Sequence, residues 1–274
     1  MIRHAAVAGY FYEGSAAGLA KQIESFLVPA AKRISAIGVM CPHAGLVYSG
    51  GVAGAVYSTI EPPDVAVLIG PNHTGLGTAV SVMREGAWET PSGTVQIEES
   101  LAGSILAGAA HAREDTLAHL REHSLEVQLP FLLHFNPKVK IVPIQMLDTS
   151  MKTCVELGAA VAKALRERQA KPENKGSRVL IVASSDMSHY EPAATAKEKD
   201  FKAIQAVLDL DPERLYHTVR EHGITMCGYG PTVAMLVAAK ALGAKEATLV
   251  KYANSGDVSG DINQVVGYAG IVVK

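Results

Sequence analysis

The sequence predicts a single α/β domain covering residues 1–274, with a central mostly parallel or mixed sheet and helices on both faces. Three observations carry this expectation. Uninterrupted apolar runs recur at Ala36 to Met40, Val65 to Ile69 and Val179 to Ala183, which is how strands buried on both faces read. Helical stretches fall between and after these runs. Each run then breaks into a polar turn that carries a histidine: Cys41-Pro42-His43-Ala44-Gly45, Gly70-Pro71-Asn72-His73 and Ser184-Ser185-Asp186-Met187-Ser188-His189. Ligands of open α/β sheets bind beyond the carboxyl ends of the strands, so His43, His73 and His189 are expected to converge on one site.

Bulk properties narrow the function classes. A chain of 274 residues with 48% hydrophobic and 19% charged residues is an ordinary globular protein. A formal net charge of −2 gives no footprint for nucleic acid or an anionic membrane. Cys41, Cys154 and Cys227 are too few and scattered for a disulfide framework, which points to a reducing compartment. The first residues lack a long apolar segment and no run of about 18 uncharged apolar residues occurs. A cytoplasmic protein with no membrane and no nucleic-acid partner is expected.

In chain order, Gly9-Tyr10-Phe11-Tyr12 reads as a packing anchor for an N-terminal arm, and Ser15 caps a helix from Ala16 to Leu27 that ends before Pro29. The turn after His43 runs through Tyr48 and Gly50-Gly51 into a helix from Val52 to Ile60, stopped by Pro62-Pro63. A glycine-rich turn before a helix can bind phosphate. This one has neither G-x-G-x-x-G nor G-x-x-x-x-G-K-[ST] spacing, which argues against a nucleotide site. Ala79 to Met83 and Thr94 to Ile97 alternate around turn chemistry between Trp88 and Gly93, as a hairpin would. Glu98 to Ala110 reads as a helix.

Further on, Lys140 to Leu147 reads as a strand that Pro143 assigns to an edge or irregular position. The amphipathic helix from Met151 to Arg168 holds Cys154 as a packed thiol, and Gln169 to Ser177 is a surface loop. Two helices follow, Ala196 to Leu210 and Pro212 to Glu221, with His217 and His222 on the surface. Cys227 precedes a helix from Thr232 to Leu242, where the helix N-terminus is expected to lower its pKa and favour the thiolate. Strands from Ala247 to Tyr252 and Val265 to Val273 close the chain.

A rival signal lies in His119-Leu120-Arg121-Glu122-His123, which matches H-x-x-E-H. On one helix it would set two imidazoles at i and i+4 as zinc ligands, with a glutamate as base. Ser124 and Pro130 suggest instead that a helix starts or is remodelled just after His123. The remaining readings are that His123 and Glu126 line the site, or that the segment is a solvated helix face.

These motifs, together with Glu122-His123-Ser124-Leu125-Glu126-Val127-Gln128-Leu129-Pro130 and Ile224-Thr225-Met226-Cys227-Gly228, occur in the order and approximate spacing of the Memo family. The resemblance extends from Gly9-Tyr10-Phe11-Tyr12 to Gly267-Tyr268-Ala269-Gly270. It implies a fold similar to class III extradiol ring-cleaving dioxygenases, which hold non-haem Fe(II) at the strand ends. By resemblance, the metal ligands are His43, His73 and Cys227, Asp186 and His189 are catalytic pocket residues, and His123, Glu126, Tyr48 and Asn72 surround them. It also implies a functional link to a radical-SAM protein and an AMMECR1-like protein, as in the AmmeMemoRadiSam system. One departure is that the dioxygenases use a carboxylate where this chain has Cys227. The softer thiolate shifts preference toward Cu(I), Zn or a differently tuned iron and is itself open to oxidation. Another is Tyr229-Gly230-Pro231, where an animal Memo protein would have Arg-His-Pro.

Three readings follow. The first is a metal-dependent redox or oxygen-handling protein holding one iron or copper ion, zinc being the third choice, with a small molecule or peptide in its pocket. The second is a module that binds such a ligand or partner without turnover. The third is a zinc hydrolase built on His119 and His123.

Overall fold

The computed structural model describes residues 1–274. From the N-terminus the chain forms β1 (Ile2–Arg3), α1 (Ala16–Phe26), β2 (Gly38–Cys41), α2 (Leu46–Thr59), β3 (Val65–Pro71), β4 (Val80–Val82), β5 (Ala87–Thr90), β6 (Gly93–Ile97) and α3 (Glu99–Gly108). Then come β7 (Ala112–Glu114), α4 (Leu129–Phe135), β8 (Lys140–Met146), α5 (Met151–Gln169), β9 (Val179–Ser184), β10 (His189–Glu191), α6 (Ala193–Leu208), α7 (Pro212–Glu221) and α8 (Tyr229–Ala241). The last elements are β11 (Ala247–Asn254), α9 (Gly256–Ser259) and β12 (Val265–Val273).

One mixed sheet runs in the order β1-β5-β6-β8-β3-β9-β2-β12-β10, with β11 paired to β12 and β4 to β7 and β8. Strands β8, β3, β9 and β2 form its parallel centre. They are apolar along nearly their whole length because helices cover both faces. The faces can be told apart at two glycines. The Cβ direction of Gly38 meets Met235 of α8, while that of Gly270 meets Val52 and Val56 of α2. Gly38 pairs with Val273, and Gly270 lies an odd number of residues from Val273 and so faces the opposite side.

The register explains why the polar turns meet. Met40 pairs with Ala183 and Ala183 with Ile69, so these three residues lie in one row across β2, β9 and β3. His43, Asp186 and His73 then follow three, three and four residues past that row, at the same end of three neighbouring strands.

Several local expectations needed correction. The hairpin pairs β5 with β6 through Pro91-Ser92, so Trp88 is a buried strand residue and no turn residue. The segment 80–82 pairs with β8 and β7 instead. Helix α2 starts at Leu46, earlier than Val52, and carries Gly50 and Gly54 inside it where Phe26 packs in the place of a Cβ. Pro143 is at no edge but occupies the irregular position the sequence also allowed, inside the sheet with β3 on one side. On its other side the partner changes from β6, which ends opposite Ile141, to β4, which starts opposite Ile144. The Pro143 carbonyl accepts from the Met83 N–H on that side, so its ring nitrogen falls in the gap where no ladder bond is lost. Helix α8 begins at Tyr229, and Pro231 lies in its first turn, where an N–H has no helical partner anyway. No helix is long and apolar enough to cross a membrane.

Candidate metal centre

His43, His73 and His123 each place a ring nitrogen within 4.8 Å of the others. Their ring centroids are 5.3 Å apart for His43 and His73, 5.4 Å for His43 and His123, and 4.8 Å for the stacked pair His73 and His123. The first two come from the ends of β2 and β3. The third comes from the loop that precedes α4.

The hydrogen bonds behind the rings fix which nitrogen is free. His43 Nδ1 lies 2.9 Å from the Ser184 hydroxyl, and that hydroxyl donates its single hydrogen to the Ser124 carbonyl at 2.6 Å. His43 Nδ1 must therefore be the donor, which leaves Nε2 with its lone pair. His73 Nδ1 lies 2.9 Å from the Glu122 carboxylate, an acceptor, and is again the N–H, so Nε2 is free. His123 Nδ1 is 3.3 Å from the same Glu122 oxygen.

Charge follows the same division. Burial, followed by the neighbouring His123, His73 and His189, pushes the pKa of His43 well below its ordinary value and keeps it neutral. For His73 burial also acts to lower the pKa, but the Glu122 hydrogen bond and charge outweigh it and the pKa rises. Burial would raise Glu122, yet His73 and the Ser124 N–H hold it down at about 2.

Cys227 stands beside this group. Its Sγ is 3.3 Å from His43 Nε2 and accepts from the Asp186 N–H at 3.3 Å. Thus His43 and His73 meet as expected, His123 joins them as a third imidazole, and Cys227 touches only one member of the group. The expectation of a lowered thiol pKa is overturned: burial and then the Asp186 carboxylate push it up despite the helix that follows. Desolvation of an anion outweighs half a charge at a helix end.

Asp186 closes the other side, its Oδ1 accepting from the N–H groups of His43 (2.8 Å) and Ala44 (3.3 Å). Burial raises its pKa. His189 is half-buried, and its Nδ1 donates to the Thr225 carbonyl at 2.9 Å, leaving Nε2 as an acceptor.

Two expected surrounding residues have other duties, and a third lies at the surface. Glu126 is fully buried and bound to the N-terminal arm, accepting from Arg3 (2.5 Å), Tyr12 (2.5 Å) and the N–H groups of Ala6 and Val7. Its effect on the site is indirect, because the arm it anchors lays Phe11 on His123 at 4.7 Å. Asn72 spends its side chain on its own loop, bonding Thr74, Gly75 and Leu76. Tyr48 remains 40% exposed near the start of α2.

The zinc-hydrolase reading through His119 and His123 is also overturned. Leu117–His119 is a single 3-10 turn and no helix carries Glu122 and His123 with it. His119 is buried edge-on against Trp88, with neither ring nitrogen partnered, while His123 turns to His43 and His73. Glu122, present in two motifs but given a role only as the base of this one, is the residue the sequence reasoning missed; its immediate precedence of His123 was the available signal.

Three convergent imidazoles, two of them with Nδ1 hydrogen-bonded and the third with Nδ1 3.3 Å from Glu122, are a donor set that a transition metal ion fits. The Cys227 sulfur is spaced from His43 as two donors of one ion would be, since donors about 2.1 Å and about 2.3 Å from one ion stand roughly 3.3–3.7 Å apart, although it lies outside the group of ring nitrogens that are all within 4.8 Å of one another. Comparison with known proteins agrees with a shared architecture. A family model described as Memo-like protein matches residues 3–272. A MEMO1 family protein of Methanosarcina acetivorans is 45% identical, with 100% of this chain and 99% of that one covered. Another, from Methanothermobacter thermautotrophicus, is 42% identical over 98% of this chain and 99% of that one. Among solved structures, an uncharacterized Escherichia coli protein aligns with a TM-score of 0.51 at 14% identity, covering 84% of this chain and 98% of that one, a likeness of fold alone. With a family model matched almost end to end and relatives above 40% identity along their whole length, this chain belongs to the Memo family.

Proposed function

We propose that the protein binds one redox-active metal ion, iron or copper, through His43, His73 and His123, with Cys227 beside them, and uses it in oxygen-handling or redox chemistry on a small ligand. The observation that carries this reading is the convergence of three ring nitrogens within 4.8 Å, with the outer nitrogens of His43 and His73 tied to Ser184 and Glu122. An iron or copper ion bound there supplies one-electron chemistry and a place for oxygen. The protein's own part is to hold and move protons. His189 Nε2 can accept one because Nδ1 is committed to Thr225. Asp186, lifted by burial, can carry one on Oδ2 while Oδ1 stays bound to His43 and Ala44. Thiolate character at Cys227 would arise on metal binding, since a coordinated thiol is deprotonated.

Metal analysis of anaerobically purified protein tests the reading. One ion per chain is expected in the wild type, with loss or at least tenfold weakening in His43→Ala and His123→Ala. Cys227→Ser should retain the ion more weakly and lose sulfur-to-metal absorption. Oxygen consumption should appear after loading with iron or copper and not after zinc. A wild-type protein that holds no ion under any of these loadings would overturn the proposal.

A further inference from the structure

Glu122 is the one group that touches two members of the histidine cluster. Its side chain is completely buried. Oε1 faces His73 Nδ1 at 2.9 Å, His123 Nδ1 at 3.3 Å, and the N–H groups of His123 (2.9 Å) and Ser124 (3.0 Å). Oε2 accepts from the His73 N–H at 2.5 Å. The carboxylate therefore grips both the ring and the backbone of His73, from the end of β3, and grips the backbone of His123, from a loop 50 residues later, with the His123 ring nitrogen 3.3 Å from the same oxygen. His43 makes no contact with it: its ring is held by the Ser184 hydroxyl, which is itself fixed by Gln128 and the Ser124 carbonyl, and its backbone N–H by Asp186.

We propose that Glu122 is the positioning residue that makes His73 and His123 a single metal-binding unit, leaving His43 as an independently held ligand. The inference rests on the metal-binding reading above. Its physical content is that two chain segments distant in sequence meet at one anion that can accept from both. Two rings stacked 4.8 Å apart with both Nδ1 atoms toward one oxygen have their Nε2 atoms on the same side. Removing the charge while keeping the shape would loosen both rings together, whereas loss of either ring alone leaves the other still clamped. Because the anion itself touches no ligand position, its effect must pass through the two imidazoles, as outer partners of metal-bound histidines do.

Co(II) titration followed by visible absorption tests this, using wild type, Glu122→Gln, Glu122→Asp, His73→Ala, His123→Ala and Ser184→Ala. Glu122→Gln is expected to weaken Co(II) binding about 10- to 100-fold and to change the visible spectrum toward fewer nitrogen donors. Adding Glu122→Gln to His73→Ala or to His123→Ala should cost less than in the wild type, because only one clamped ring remains to be released, while combining it with Ser184→Ala should cost the full amount. Glu122→Asp should restore part of the affinity and the spectrum, which a merely structural loss would not do. Circular dichroism of each metal-free variant checks the fold, and if Glu122→Gln does not fold, Glu122→Asp carries the same comparison. Wild-type affinity and spectrum in Glu122→Gln, or full additivity with both histidine variants, would overturn the inference while leaving the metal reading intact. A wild type that binds no Co(II) would remove the metal reading itself, and this inference with it.

Discussion

Arg3 and Glu126 form a buried ion pair at 2.5 Å across 123 residues of sequence. The same guanidinium lies 4.1 Å from the Trp88 ring centroid and donates to the carbonyls of His119 and Glu122. One side chain thus closes the N-terminal arm onto the loop that supplies Glu122 and His123. Removing one partner of a buried pair leaves a stranded charge, which costs about 3–5 kcal/mol. Arg3→Met should lower stability by that order in denaturant unfolding, and Arg3→Met with Glu126→Gln should recover part of it.

Ser184 is the corresponding support on the other side of the cluster. Its hydroxyl accepts from Gln128 Nε2 at 2.9 Å and from His43, and donates to Ser124. Ser184→Ala should weaken metal binding about tenfold by freeing the His43 ring. It should also cost about 1–3 kcal/mol by leaving buried polar atoms unpaired. Titration with metal and thermal melting of the metal-free protein measure the two effects separately.

Acid should destabilise the fold through His119. Burial, then the Arg3 charge, lowers its pKa from 6.5 to about 4. Between these values the unfolded chain binds a proton that the folded chain refuses, so stability falls as pH drops from about 6.5 to about 4 and the effect is complete below that. A shift of this size corresponds to about 3 kcal/mol. Unfolding free energies measured across this window should slope less in His119→Leu than in the wild type; equal slopes would refute the assignment.

Gly228 sets the position of Cys227. A Cβ there would overlap the Ser184 carbonyl and crowd Ser185, so the turn before α8 could no longer lie against the end of β9. Gly228→Ala should destabilise the protein by about 1–3 kcal/mol and displace Cys227 from His43. Loss of sulfur-to-metal absorption with the histidine ligation retained would be its spectroscopic mark.

The metal-free thiols should be slow to alkylate. Cys154 is fully buried and its pKa is pushed up to about 12, by burial first, and burial raises Cys41 and Cys227 in the same direction. Thiolate is the nucleophile, so native protein near neutral pH should react far more slowly with iodoacetamide than unfolded protein. Rapid labelling of Cys227 would contradict its protonated state.

The sequence by itself determined the architecture and two of the three clustered histidines. Apolar runs such as Val65 to Ile69 state their own burial, and a histidine a few residues past such a run can only emerge at the strand end; His43 and His73 were legible for that reason. The tertiary structure alone decided the rest. Strand order made β3, β9 and β2 neighbours, and only that brings His123 from a loop with no periodic signature to the other two imidazoles. It also decided between Glu122 and Glu126, four residues apart, one turned to the histidines and the other to Arg3 and Tyr12. It placed Pro143 in the sheet interior, where a change of strand partner absorbs its missing N–H, and raised the Cys227 thiol that its helix would have lowered. Local propensity and pattern are properties of a few adjacent residues. Partner choice and desolvation depend on groups from about forty to more than a hundred positions away, and those enter only when the chain has folded.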